Sequence, residues 1–520
     1  MKLLLAIGLA TITGMAAPAA TPNPREPFEA GSHAVPRSKI DELVTARLAK
    51  IQLTLAPACS DAVFIRRIHL DLIGTLPTET EVAGFLADKS SGKRTALVES
   101  LFARPEFADY WAMRWCDVLR VKAEFPINLW PNPAQAYHRL IHGCMKSNLA
   151  LDRMARGLLT ATGSNMRVPE ANFFRAVQSR EPKSLAAAAS LAFMGVRQET
   201  WTPAELDALA ACFSRIGYKS TSEWKEEIVF FDASKPALAK PPVMPDGRTL
   251  EMGPDTDPRV AFADWLIRPE NPWFARNLAN RGWFWMLGRG IVHEPDDFRR
   301  DNPPTNPELL AYLSRELAGH GYDFRHLLRI IANSQTYQQS PVPVRPHPQA
   351  AALFACYPLR RLDAEVLIDA LCAVTGTTES YSSPIPEPFT FLPEGTRAVA
   401  LPDGSISSSF LELFGRPSRD SGLSAERNPT PSAAQRLHFL NSSHIRLKIE
   451  KSPVMKDLVW GRPGSNDAIT RLYLTILSRP PTPAETAIFR DTIASATNRR
   501  DAIVDLTWAL LNTTEFLCRH

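Results

Sequence analysis

Between residues 257 and 337 the chain marks the ends of successive helices, and that punctuation constrains the fold more than any other stretch. Asn271 and Pro272 read as an N-cap and first helical residue, and Gly288 as the stop. Asn306 and Pro307 repeat the start ahead of Leu309, Leu310, Leu313 and Leu317 at helical spacing. Asp323 caps a third segment with Phe324, Leu327, Leu328 and Ile331 on one face. Four of the eleven tryptophans fall between Trp265 and Trp285. The stretch specifies helical packing strongly and declares no reaction.

At 520 residues the chain exceeds what one hydrophobic core usually organises, so two or three domains are expected. A net charge of +4, with scattered basic residues, is too dilute to argue for nucleic acid. Forty-four prolines break helices and lengthen connections, which excludes a long regular solenoid.

Met1-Lys2, the apolar run LLLAIGLATITGM and Ala17-Pro18-Ala19 read as an export signal over residues 1–20, with a retained anchor as the alternative. A Pro-rich linker over 21–37 follows, and no later stretch reaches the roughly 18 apolar residues a membrane helix needs. The seven cysteines contain no C-x-x-C pair, so neither a zinc knuckle nor a haem-attachment motif is present. Most are expected to be small buried hydrophobes.

The two ends of the chain resemble each other. Arg67, Leu70, Pro77, Thr78, Glu81, Ala83 and Phe85 align without gaps on Arg471, Leu474, Pro481, Thr482, Glu485, Ala487 and Phe489. Both segments read as a helix, a Pro stop, a capped second helix and a third packing helix, closing on Glu106-Phe107 and Glu515-Phe516. Between them, 183–194 reads as an Ala-rich helix and 228–231 as a strand, whereas 377–430 reads as a long loop with short strands.

Candidate chemistry concentrates in the central stretch. His293, Glu294, Asp296 and Asp297 gather carboxylates and an imidazole that a divalent cation can use; the alternative is pairing of the carboxylates with Arg299 and Arg300. Asn277 and Arg281, four residues apart on one helix face and near Trp283, form with Asp296 and Asp297 a candidate ligand-binding set. The competing reading has them satisfying neighbouring backbone and the tryptophans filling the core. No G-x-S-x-G, H-E-x-x-H, G-x-G-x-x-G or Walker A run occurs, so no catalytic residue is assigned.

FIRRIHLDLIGTLPT, KRTALVESLFARPEFADYWAMRWCDVLR and FMGVR in the first half resemble one domain of unknown function. NPWFARNLANRGWFWMLGRGIV, NPPTNPELLAYL, NSQTY, RRLDAEVLIDAL, LFGRP and WALLNTTEF resemble a second. These are the linked DUF1549 and DUF1553 types of exported Planctomycete and Verrucomicrobial proteins, often found beside cytochrome c domains. The resemblance implies export, a mostly helical build and no established reaction. In many relatives Gly-Val-Arg is soon followed by Cys-x-x-Cys-His, and a second Cys-rich spot is expected after FGRP. Here Gly195-Val196-Arg197 runs through Gln198-Glu199-Thr200 to Trp201, and 421–427 has no cysteine, so no covalent haem is expected.

The expected fold is mainly α, with two packed helical domains over 38–245 and 246–520, short strands and long Pro-rich loops. The expected role is an exported accessory or binding protein of the periplasm or cell envelope, with a cytochrome or exported hydrolase as partner. The alternative is a redox or carbohydrate-directed enzyme with its site at the domain junction.

Overall fold

The structure, a computed structural model, describes residues 27–31, 36–238, 240–253, 255–460 and 466–520. The expected signal, and 21–26 and 32–35 of the expected linker, lie outside these. Among the described residues are 22 α-helices, from Lys39–Ala49 to Thr514–Leu517, and only small sheets. Gly163–Ser164, Glu227–Phe231 and Ile216–Ser220 form a three-stranded antiparallel sheet with the middle-named strand at its centre, and Tyr218 faces Val229. Arg360–Arg361 pairs with Cys518–Arg519, tying the chain terminus to the middle of the second half.

Local signals set the helix ends. The side chains of Ser60, Thr78, Thr202, Asn306 and Asp323 each accept a backbone N–H of the first turn. Gly288 and Gly376 end their helices at φ 75° and 64°, where a β-carbon is disfavoured. The central helix is Phe274–Leu287, two residues later than Asn271-Pro272 suggests. Asn271 still caps it, accepting the N–H groups of Trp273 and Phe274 at 3.0 and 3.1 Å.

The end units share more than sequence. Asp61–Leu72 and Glu79–Ala87 correspond to Asn466–Leu477 and Pro483–Ser495, and each second helix opens on the same Thr–Glu capping box. The equivalent residues Gly74 and Ser478 turn the chain at φ 60° and 59°. The loop 377–430 departs from expectation: it holds the short helix Ser409–Leu413 and two 3-10 turns, and in place of strands only a Ser382–Ser407 bridge.

One hydrophobic cluster runs through both halves, from Ile40 to Phe516. Buried polar ties cross it. Asp41 accepts the N–H groups of Gln335 and Thr336 at 3.0 and 2.8 Å, so the NSQTY segment clamps onto the first helix. Arg67 donates to the carbonyls of Gln339 and His520 at 2.9 and 2.8 Å and lies 3.7 Å from the Tyr357 ring centroid. All seven cysteines are unpaired, and five are buried. Among the described residues no helix is long and apolar enough to cross a membrane.

Candidate functional site

The seam between the two halves is organised around residues 190–197. The helix Pro182–Ala189 widens into a π turn over Ser190–Met194, rather than continuing as α-helix to Met194. Two carbonyls of that turn are taken up by the central helix: Asn277 Nδ2 donates to Ala192 at 3.0 Å and Arg281 Nη2 to Leu191 at 2.8 Å. Gly195 follows at φ 68°, and a β-carbon there would lie 2.6 Å from Asn277 Oδ1 and 2.9 Å from the Phe298 ring. Glycine is required both for the turn and for the close approach.

Arg197 then bridges two carboxylates, Glu294 at 3.1 Å and Asp296 at 2.9 Å. The other oxygen of Asp296 accepts the Ser424 N–H at 2.6 Å, so this fully buried carboxylate joins three distant segments. Burial opposes its charge, but Arg281, the Ser424 amide and Arg197 together hold it below the ordinary carboxylate range. Asp297 pairs with Arg299 at 3.3 Å, and its carbonyl accepts from Asn302 at 2.8 Å. Burial and the nearby Arg289 lower the His293 imidazole, whose Nδ1 has no partner. A guanidinium therefore occupies the space between Glu294 and Asp296 that a cation would need.

Asn277, Arg281, Trp283 and Asp296 are fully buried, and Asp297 is nearly so. None of these five lines the cleft at this seam. Trp283 packs edge-on against Phe354 at 5.1 Å in the core. Their neighbours form the cleft instead. It measures about 790 Å³ and is lined by Glu199, Trp201, Glu205, Trp273, Arg276 and Phe298 among others. That is the usual size of a small-molecule site. Trp201 and Trp273 meet edge-to-face at 5.7 Å, and the Trp201 indole N–H is buried without an acceptor.

Arg276 is half-buried in the cleft wall and rests over Phe298 at 5.7 Å, with no carboxylate or carbonyl partner among the described residues. Burial lowers its pKa, as expected for a guanidinium short of counter-charge. Arg276 carries no signal in the sequence, because nothing local distinguishes an unpaired arginine from a paired one.

Residues 198–199 and 421–423, which carry no cysteine, come together nearby. Gln198 and Glu199 share the walls of a second opening, of about 330 Å³, with Ser421 and Leu423. Among the described residues the only three-residue cluster with metal-ligand proximity is elsewhere: Glu316, His320 and His326, with ligand atoms within 4.8 Å of one another. The two imidazoles stack at 3.7 Å, so His320, half-exposed, would have to swing for both rings to reach one ion.

Fold and seam together define a mostly helical protein of two interlocked parts, with a ligand-sized cleft where they meet. Residues 39–202 match the family described as Protein of unknown function (DUF1549), and residues 258–493 match Protein of unknown function (DUF1553). The chain contains both domains, in that order. No curated protein and no solved structure matches it.

Proposed function

We propose that the protein is an exported accessory binding protein of the cell envelope, holding an organic anion with a flat ring in the seam cleft. The observation that carries this reading is Arg276, an unpaired guanidinium set into the wall of a cleft of about 790 Å³ beside two tryptophans. A carboxylate or sulfonate would satisfy Arg276, an acceptor on the ligand would take the Trp201 N–H, and the indoles offer stacking faces. A partner-binding role has its own support in an exposed aromatic patch, where Trp130 meets Trp224 at 6.3 Å and Phe389 at 5.3 Å, with Lys225 over both tryptophans. Its partner would be another envelope protein.

Titration with naphthalene-1-sulfonate and with naphthalene-1-carboxylate, read by tryptophan fluorescence, tests the cleft. At least one probe should quench saturably, and Arg276→Met should weaken binding about ten- to a hundred-fold, the equivalent of one charged hydrogen bond of about 1.5–3 kcal/mol. Melting should be nearly unchanged by the substitution. Absence of quenching by either probe, or unaltered affinity in Arg276→Met, would refute the reading.

A further inference from the structure

A separate cavity of about 110 Å³ lies where the helix Pro105–Val118, the end of the central helix and the segments 360–363, 422–429 and 519 come together. Its surroundings carry a closed ion-pair network. Asp363 meets Arg114 at 2.6 Å and Arg519 at 2.9 Å. Asp71 meets Arg360 at 2.8 Å and Arg519 at 3.1 Å. Asp117 meets Arg419 at 2.9 Å and Arg427 at 2.7 Å. Glu365 meets Arg427 at 2.6 Å and Arg416 at 3.4 Å.

Six guanidinium groups lie within ion-pair distance of these four carboxylates, and Arg361, on the cavity wall, is a seventh. Among the described residues Arg361 has no carboxylate within ion-pair distance, although Asp363 and Glu365 are near enough to be felt. It donates to the carbonyls of Phe414, Asn428 and Pro429 at 2.7, 2.8 and 3.2 Å, and its Nη1 is buried without an acceptor. The Nε atoms of Arg114 and Arg360 are buried and unpartnered too. Arg361 is 8% exposed and Arg519 2%, so solvent does not supply the missing counter-charge.

Even with the buried carboxyl of Asp403, which lies near Arg419, the guanidinium groups outnumber the carboxyl groups by two, which is costly unless an anion answers them. Backbone carbonyls supply dipoles but no net charge. Tyr337 and Tyr357 add no negative charge, because both phenols donate to Asp71 at 2.8 Å and burial raises their pKa. Guanidinium groups in this number match the flat or tetrahedral face of an oxyanion, by paired N–H donation. The volume admits an ion of that size and no nucleotide.

We propose that the arginine-walled cavity is a binding site for one small oxyanion (sulfate, phosphate or a short carboxylate), with Arg361 as its principal ligand. This is independent of the seam cleft and of Arg276. Residues 360–365 and 416 belong to RRLDAEVLIDAL and LFGRP, and Arg114 and Asp117 to WAMRWCDVLR, so segments that look unrelated in the sequence converge on one charge.

Melting and calorimetric titration of the full chain with sulfate, phosphate and malonate, each against chloride at equal ionic strength, test it. At least one oxyanion should raise the melting temperature saturably beyond chloride. Response to sulfate or phosphate marks an inorganic ion, and response to malonate alone marks the end of an organic acid. Arg361→Met should weaken binding at least tenfold. Leu423, on the cavity wall, allows an independent arm: Leu423→Glu places a carboxylate in the cavity and should raise melting without added anion while abolishing the oxyanion response. No oxyanion effect beyond chloride, unweakened binding by Arg361→Met, or a Leu423→Glu chain that melts lower and still responds would each overturn the proposal.

Discussion

Asp296 and Arg281 show how a buried charge becomes structural. Arg281 donates to one carbonyl and lies near Asp296, while Asp296 also answers Arg197 and the Ser424 amide. Removing Arg281 frees the Leu191 carbonyl and weakens the compensation of Asp296. Removing Asp296 leaves the buried Arg281 without its carboxylate and Arg197 with Glu294 alone. Arg281→Ala should therefore cost about 1–3 kcal/mol of stability, and Asp296→Ala about 3–5 kcal/mol. Calorimetry that ranked them the other way would show Asp296 to be a cleft residue after all. The sequence placed both side chains in one cluster but left open whether they bind a ligand or satisfy neighbouring groups, and both are fully buried. The partners of Asp296 come from positions 197 and 424, and no local pattern links such distant segments. The solitude of Arg276 was illegible for the same reason, since lacking a partner is a tertiary fact.

Elements whose signals are local were readable in advance. Thr78 with Glu81 and Thr482 with Glu485 form the expected capping boxes, and each unit adds an arginine that grips the capping glutamate. Arg104 reaches Glu81 at 2.7 Å, and Arg479 reaches Glu485 at 2.8 Å. Burial opposes the Glu485 charge, but Arg479 and the Thr482 cap bring that carboxyl down to about 2. Thr78→Ala and Thr482→Ala should each cost roughly 0.5–2 kcal/mol, and chemical denaturation should find the two losses similar. A loss at only one of them would separate the units energetically. What the sequence did not disclose was the strand Ile216–Ser220 and the π turn at 190–194. The first depends on pairing with Glu227–Phe231. The second depends on Asn277 and Arg281, some 85 residues away, receiving its carbonyls.

For the whole molecule, shared burial has a pH signature. Burial pushes the imidazoles of His138 and His520 from 6.5 down to about 3. The unfolded chain takes up these protons below about pH 6.5, and the native chain does not until about pH 3, so stability should fall as pH drops through that window. Asp369, raised by burial to about 6, acts in the opposite sense between its ordinary 3.8 and 6. A His138→Gln comparison isolates the histidine contribution: the variant should lose less melting temperature than the parent between pH 6.5 and 4, and parallel profiles would contradict this. The larger claim is that the two domains form one body, because the core is continuous from Ile40 to Phe516 and both candidate sites draw walls from each half. Differential scanning calorimetry of residues 21–520 tests that most directly. One transition is predicted, with calorimetric and van't Hoff enthalpies in agreement. Two resolved transitions, the first leaving either domain folded, would contradict it.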